Sequence, residues 1–239
     1  AQLDYLQATK AGGHGGYKAI VLAPASVQET FDLIQLSFYL ADKYRMVVIL
    51  LSDATIGQMM EPIEMRKLEE EPLPEKDWIL TGNENKRKSR VLPLLLTAAD
   101  DPTLFQKYHD DLAEKMELIT QAEIRFDSYL LDDSSDLLIV AYGSVARISE
   151  TAIAMAREEG IKVGMIRPIS LVPYPYTQVG AAIEKTKKTL VVEASMGQMI
   201  EDVKLAAGGR GDIHFFGRVG KVISPEEILE KIKELSSRN

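Results

Sequence analysis

The sequence predicts an α/β protein in two parts, and three observations lead there. From Asp136 to the end, short apolar runs alternate with helical stretches, the pattern of a mostly parallel sheet covered by helices. Between residues 19 and 51 one more unit of the same kind stands apart. The stretch 61–102 between them is highly charged, as in Glu69-Glu70-Glu71 and Lys86-Arg87-Lys88, and is broken by Pro62, Pro72, Pro74, Pro93 and Pro102, so it reads as a connector with a solvated surface.

The elements follow in order. Residues 19–23 form a short apolar strand. Ser26-Val27-Gln28-Glu29 has capping-box spacing, with Ser26 at the N-cap and Glu29 reaching back. The helix it opens runs to about Tyr44 and carries Val27, Phe31, Leu33, Ile34, Leu36, Phe38 and Leu40, an apolar surface that predicts burial on most faces. Met46 to Leu51 is a continuous apolar run, as in a strand covered on both sides. Together they make one right-handed β-α-β unit. Two parallel strands leave both sheet edges unpaired, so the remaining strands of this first domain are expected from upstream sequence or from another chain, with Ala1 not a natural start. Residues 103–126 read as a helix with Leu104, Tyr108, Leu112, Met116 and Ile119 at helical spacing.

The second part begins with a strand over Leu137–Tyr142 and a helix over Ser149–Glu159, closed by Gly160. Next come a strand at Lys162–Ile166, a proline-rich turn from Pro168 to Pro175, and a helix at Tyr176–Lys185. A strand at Leu190–Glu193, a helix at Gln198–Ala207 and a strand at Ile213–Phe216 follow. Ser224-Pro225-Glu226-Glu227 opens the last helix with an N-cap, a proline at the first position and an acid three residues on. The expected division is 1–60, 61–135 and 136–239.

Composition narrows the function. A formal charge of -8 disfavours nucleic acid and anionic membranes as partners. No apolar run is long enough to span a bilayer and nothing resembles a signal peptide, so a cytoplasmic protein is expected. With no cysteine, disulfides, thiolate zinc sites and cysteine-held iron–sulfur clusters are excluded for this chain.

The strongest site signal is Ala8-Thr9-Lys10-Ala11-Gly12-Gly13-His14-Gly15-Gly16-Tyr17, where four glycines flank one histidine before a buried strand. It lacks the Lys-Ser/Thr ending of a phosphate loop and precedes a strand where a dinucleotide loop follows one. Lys10 is a candidate partner for a substrate carboxylate and His14 a candidate substrate-facing group; a solvated lysine and an inert loop histidine are the plain readings. Gly143-Ser144, after a strand, is a phosphate candidate or an ordinary turn. His109 and His214 read as structural, and no histidine pairing supports a metal site. A short echo is also present: Asp53-Ala54-Thr55-Ile56-Gly57-Gln58-Met59-Met60-Glu61 matches Glu193-Ala194-Ser195-Met196-Gly197-Gln198-Met199-Ile200-Glu201 in kind. Both segments follow a buried strand, where open parallel sheets bind ligands; a shared strand-to-helix turn explains them equally.

Gln7-Ala8-Thr9-Lys10, Gly12-Gly13-His14-Gly15-Gly16-Tyr17, Leu22-Ala23-Pro24-Ala25-Ser26-Val27-Gln28-Glu29 and Gly57-Gln58-Met59-Met60-Glu61-Pro62 together resemble the α-type subunit of 2-oxoacid:ferredoxin oxidoreductases, closest to the branched-chain, 2-oxoisovalerate type. Val140-Ala141-Tyr142-Gly143-Ser144 and Arg167-Pro168-Ile169-Ser170-Leu171-Val172-Pro173 extend the resemblance through the second part. It implies an incomplete thiamine-enzyme pyrimidine-type domain followed by a transketolase C-terminal-like α/β domain. It further implies oxidative decarboxylation of a 2-oxoacid, with coenzyme A taking the acyl group and electrons reaching ferredoxin. Thiamine diphosphate with its magnesium would be shared with a β-type partner subunit. Iron–sulfur clusters would lie in other subunits, with γ and ferredoxin-like subunits completing the assembly and no cofactor held by this chain alone.

On the same resemblance, Thr9, Lys10 and His14 line the substrate side, with Asp53, Gln58 and Met59 behind them. The family's Tyr-Pro-Ile-Thr-Pro motif and the glutamate that activates the aminopyrimidine have no counterpart here, so the chain alone is expected to be inactive and its catalytic residues stay unassigned. Pyruvate and oxoglutarate members place an arginine near Thr9-Lys10; Lys10 offers a point charge instead of a fork. Met59 and Met60 suit an apolar substrate tail. Two other readings stand beside this one: a non-redox thiamine enzyme of the transketolase class, and a non-catalytic docking subunit.

Overall fold

The computed structural model describes residues 1–10, 16–73, 75–76, 79 and 102–237. The chain begins with a short helix α1 (Tyr5–Thr9), then β1 (Ile20–Leu22), α2 (Val27–Tyr44), β2 (Val48–Leu50) and α3 (Ala54–Gln58). After α4 (Pro102–Ala122) come β3 (Phe126–Tyr129), β4 (Leu137–Val140), α5 (Gly143–Glu158), β5 (Val163–Pro168) and β6 (Ser170–Val172). The last elements are α6 (Tyr176–Lys185), β7 (Lys188–Glu193), α7 (Met199–Ala207), β8 (Asp212–Gly217) and α8 (Pro225–Ser237). They build a three-stranded sheet ordered β2-β1-β6 and a five-stranded sheet ordered β3-β5-β4-β7-β8. In the larger sheet β5, β4, β7 and β8 run parallel and β3 is antiparallel at the edge.

The expected β-α-β unit is present, with β1 and β2 parallel and Ile20 beside Val48. Its free edge is a different matter. The proline-rich turn contains β6, which leaves the second half and pairs antiparallel with β1; Ala23 N–H also donates to the Ile169 carbonyl at 2.8 Å. The edge of β1 is thus closed from within this chain. Three residues between Ile169 and Pro173 are too few to show a strand period, and the partner lies far away in sequence. The same shortness hides β3, of which the sequence assigns Phe126 to the end of a helix and the other three residues to no element.

One core joins the halves. Ile20 and Leu22 of β1 point to Leu33, Leu36 and Leu40 of α2 and to Ile119 of α4. Val21 and Ala23, on the other face, pack with Leu138, Val140, Ile166 and Val191 of the large sheet and with residues of α6 and α7. The far face of the large sheet is covered by α5 and α8. Strand alternation therefore makes β1 the shared layer.

Helix α2 departs from its expected burial: Ile34 and Phe38 face outward, Phe38 being 76% exposed. Its capping box is shifted. Ser26 Oγ accepts from Glu29 N–H at 3.1 Å, but the Glu29 carboxylate reaches Ala25 N–H at 2.6 Å and receives the Arg167 guanidinium through two contacts of 2.8 and 3.0 Å. Two motifs of the sequence thereby meet across 138 positions.

Residues 61–68 form a strap along α2. Gln28 donates to the Glu64 carbonyl and accepts from Glu64 N–H. One helical heptad on, Gln35 donates to the Arg66 carbonyl and accepts from Leu68 N–H. Two glutamine amides thus read the strap backbone much as a neighbouring strand would. Arg66 pairs with Asp32 at 2.5 Å and Lys76 with Asp42. Most of the charged stretch beyond Lys76, including Lys86-Arg87-Lys88, lies outside the described residues.

Candidate functional site

The carboxyl ends of β4 and β7 mark the point where strand order reverses in the large sheet, the usual ligand crevice of an open α/β sheet. Here the protein fills it with its own amino-terminal segment. Gln2 Nε2 donates to the Tyr142 carbonyl at 2.8 Å, and Gln2 Oε1 accepts from Ala194 N–H at 3.0 Å. Gln2 N–H donates to the Ala194 carbonyl. Gln198 completes the grip by donating to the Leu3 carbonyl and accepting from Leu6 N–H.

The echoed segments use one structural device twice. Asp53, at the N-cap of α3, accepts Thr55 and Ile56 N–H on Oδ1, both at 3.1 Å. Its Oδ2 accepts Ser144 N–H at 2.9 Å. Asp53 therefore places one buried negative charge at the amino ends of both α3 and α5, where two sets of unpaired N–H groups favour an anion. The Gly143-Ser144 anion site exists, but its anion is this aspartate. Glu193, fully buried, likewise accepts Ser195 Oγ–H and the N–H groups of Gln198, Met199 and Ile200 at 2.9–3.0 Å.

The expected site residues separate into three groups. Thr9 and Lys10 line a cleft of about 320 Å3 whose other walls come from Gly16, Tyr17 and Lys18, from Met116 and Thr120 of α4, and from Leu171 to Tyr174 with Tyr176. Thr9 is buried, and its hydroxyl donates to the Tyr5 carbonyl. Asp53 lies apart from this cleft, beside Gln2, Tyr142 and Gly143, with both carboxylate oxygens engaged by backbone N–H groups. Gln58 and Met59 also lie apart from this cleft. They belong to α3 and its end. Gln58 is exposed, and Met59 Sδ lies 3.8 Å from Arg147. His14 and glycines 12, 13 and 15 lie outside the described residues.

Sequence reasoning misses the far wall of the cleft, from Leu171 to Tyr176, and misses Asp202. This aspartate, in the first turn of α7 and almost fully buried, accepts Tyr5 Oη–H at 2.7 Å on Oδ2, and Lys10 Nζ at 2.5 Å and the Tyr176 hydroxyl on Oδ1. Burial first, then this carboxylate, holds the Tyr176 hydroxyl well above the usual phenol range. Burial does the same for Tyr5 and Tyr174. All three stay protonated at physiological pH, and Tyr5 and Tyr176 donate to Asp202. An acid one turn into a helix is an ordinary sequence feature, so only its three donors distinguish Asp202.

Among the described residues no cluster of three or more His, Asp or Glu is placed to hold a metal ion. Nor is any described helix long and apolar enough to cross a membrane.

Comparison with known proteins bears on this arrangement. Residues 1–127 match the family model "Pyruvate flavodoxin/ferredoxin oxidoreductase, thiamine diP-bdg", and residues 135–228 match "Pyruvate:ferredoxin oxidoreductase core domain II". The chain is 40% identical over 236 residues to the ketoisovalerate oxidoreductase subunit VorB of Methanothermobacter thermautotrophicus, covering 98% of this chain and 65% of that protein. It is 31% identical to the 2-oxoglutarate synthase subunit KorA of Methanothermobacter marburgensis, over 97% of this chain and 68% of that protein. It therefore spans about two thirds of the length of these curated relatives. The fold is similar to that of 2-oxoglutarate:ferredoxin oxidoreductase from Magnetococcus marinus, with a TM-score of 0.76 at 21% identity, over 98% of this chain and 45% of that one. Two consecutive family models on one α/β fold, and close relatives over nearly its whole length, establish that the chain belongs to the 2-oxoacid:ferredoxin oxidoreductase subunit family.

Proposed function

We propose that this chain supplies the substrate-side wall of a thiamine-diphosphate-dependent 2-oxoacid:ferredoxin oxidoreductase acting on 2-oxoisovalerate. The product would be an acyl-CoA, with CO2 released and electrons passed to ferredoxin. The observation that carries the reading is the cleft, in a chain 40% identical to a ketoisovalerate oxidoreductase subunit. Lys10 and Lys18 give it positive charge, while Met116, Leu171, Val172 and Pro173 give it an apolar wall. A branched 2-oxoacid carries the matching pair of features, one carboxylate and one aliphatic tail.

Lys10 would attract the carboxylate as a charge-assisted donor. The apolar wall would take the tail and exclude water from it. Thr9 would fix the end of α1 that carries Lys10, and His14, four positions further along the sequence, is proposed to face the same substrate. Thiamine diphosphate, when bound, supplies the nucleophilic carbon and the electron sink for decarboxylation. The carboxylates here do not fit the acid that activates it: Asp53, Glu193 and Asp202 are each occupied by three or more protein donors. We assign that acid to the amino-terminal part of the family's subunit, which this chain does not span. Magnesium and the diphosphate fall to a β-type partner, and the clusters to γ and ferredoxin-like subunits, in a cytoplasmic assembly. The functional division is 1–60, 61–135 and 136–239, with β6 tying the last part to the first.

A second reading, 2-oxoglutarate as substrate, draws on Lys18 as another cation at the cleft. The test is reconstitution of the full-length subunit with its partners and measurement of ferredoxin reduction with each 2-oxoacid. Preference for 2-oxoisovalerate is expected, and Lys10→Ala and His14→Ala should each lower kcat/KM by about tenfold or more, the worth of one charge-assisted contact. Wild-type values for both variants would overturn the site. Turnover that needs no ferredoxin would favour the transketolase-class reading, and an assembly without 2-oxoacid turnover the docking reading.

A further inference from the structure

Lys10 reaches the cleft from the end of α1, a helix of five residues. So short a helix has no stability of its own, and a lysine side chain loses rotamer freedom when fixed. Something else must set where this ammonium stands. Among the described residues, one group within bonding distance does so. Asp202 Oδ1 takes both Lys10 Nζ, at 2.5 Å, and the Tyr176 hydroxyl, while Oδ2 takes the Tyr5 hydroxyl at 2.7 Å. Tyr5 and Lys10 lie at opposite ends of α1, so one carboxylate anchors both ends of the helix.

The burial pattern gives this pairing direction. The Asp202 side chain is 1% exposed and that of Lys10 is 44% exposed. A buried carboxylate is stable only with its donors in place, so it is the fixed member of the pair and the lysine the held one. Among the described residues one of the three ammonium N–H groups is used, on Asp202, and an ammonium carries two more donors. Lys10 and Tyr176 both line that cleft, and Lys10 approaches Asp202 across 192 positions of sequence.

We propose that Asp202 is a positioning residue for substrate recognition: from the second half of the chain it holds the Lys10 ammonium at the cleft, pre-ordered for the carboxylate of the 2-oxoacid. This rests on the reading of Lys10 as substrate-facing. Asp202 itself touches no substrate. A lysine lacks the two-pronged geometry of arginine, and the buried acid supplies the missing order by fixing the ammonium from behind.

The experiment uses the full-length subunit assembled with its partners and 2-oxoisovalerate as probe. It measures KM, kcat and the dissociation constant by calorimetry for Asp202→Asn, Lys10→Ala and the double variant. Asp202→Asn should raise KM and Kd about fivefold with kcat changed less than about twofold, and should add nothing once Lys10 is alanine, because coupled residues are not additive. Tyr176→Phe, which leaves the carboxylate charged, should shift KM about twofold in the same direction and also be silent without Lys10. It keeps the test decisive if Asp202→Asn does not fold. A Lys10→Ala effect combined with unchanged KM and Kd in both other variants would overturn the positioning role alone, as would multiplicative effects in the double variant. An unchanged KM in Lys10→Ala would overturn the substrate reading, and the positioning role with it.

Discussion

Gly143→Ala tests whether the amino-terminal segment is held by the second half of the chain. Gly143 has φ +61, and a Cβ there would stand 2.8 Å from Gln2 Nε2 and 3.0 Å from Asp53 Oδ2. The left-handed backbone alone costs an alanine about 1 kcal/mol. Gln2 must then withdraw its amide, losing its bonds to the Tyr142 carbonyl and Ala194 N–H, at about 1 kcal/mol each. Displacing Asp53 from Ser144 N–H removes a charge-assisted bond at a helix amino end, worth about 1–2 kcal/mol. The sum is about 4 kcal/mol, which for a chain of this size lowers Tm by about 10 °C. Scanning calorimetry reads the shift, and hydrogen exchange should show the amides of Gln2 and Lys10 losing protection. Gly57→Ala is the control: it lies in α3 with no atom within 4 Å of the added Cβ, so it should be neutral or gain up to about 1 kcal/mol. A Gly143→Ala protein melting within about 2 °C of wild type, with the protection of residues 1–10 intact, would refute the reasoning.

Arg167→Met strands the Glu29 carboxylate in a mostly buried setting and should cost about 3 kcal/mol in denaturant unfolding, part of which Glu29→Met restores in the double variant. Burial raises the Glu123 carboxyl, but the Tyr44 hydroxyl, Lys43 and Arg125 outweigh it and hold it below the usual range. Its contribution to stability is therefore present above the ordinary glutamate pKa of about 4.3 and lost as pH falls through the lower folded value. The Tm gap between wild type and Glu123→Gln should be wide at pH 7 and narrow on acidification. Gln28→Ala with Gln35→Ala removes four hydrogen bonds to the strap; limited proteolysis should then cut within residues 61–68, with little change in global Tm.

The periodic elements are legible in the sequence because their cause is local. The strand at Leu137, the helix over Tyr176–Lys185 and the capped last helix each announce themselves within a few residues. In the last helix, Ser224 and Glu227 do exchange backbone bonds. The family was legible too, since its motifs are contiguous strings. What stayed hidden is short or distant. β6 has three residues and its partner lies in the other half of the chain. That Asp53 joins two helix ends shows only in the fold, where Ser144, 91 positions away, donates to it.

By itself, then, the sequence determined the alternation of strands and helices, the position of most boundaries within a few residues, the lack of any cysteine-held cluster and the family. Tertiary structure decided which of the flagged residues line a common cleft. It closes Thr9 and Lys10 against Leu171 to Tyr176, leaves Gln58 and Met59 on another surface, and spends Asp53 on two helix ends. The physical reason is that hydrophobic periodicity is set by neighbours along the chain. The partner of a buried charge is set by whichever surfaces the shared core brings together.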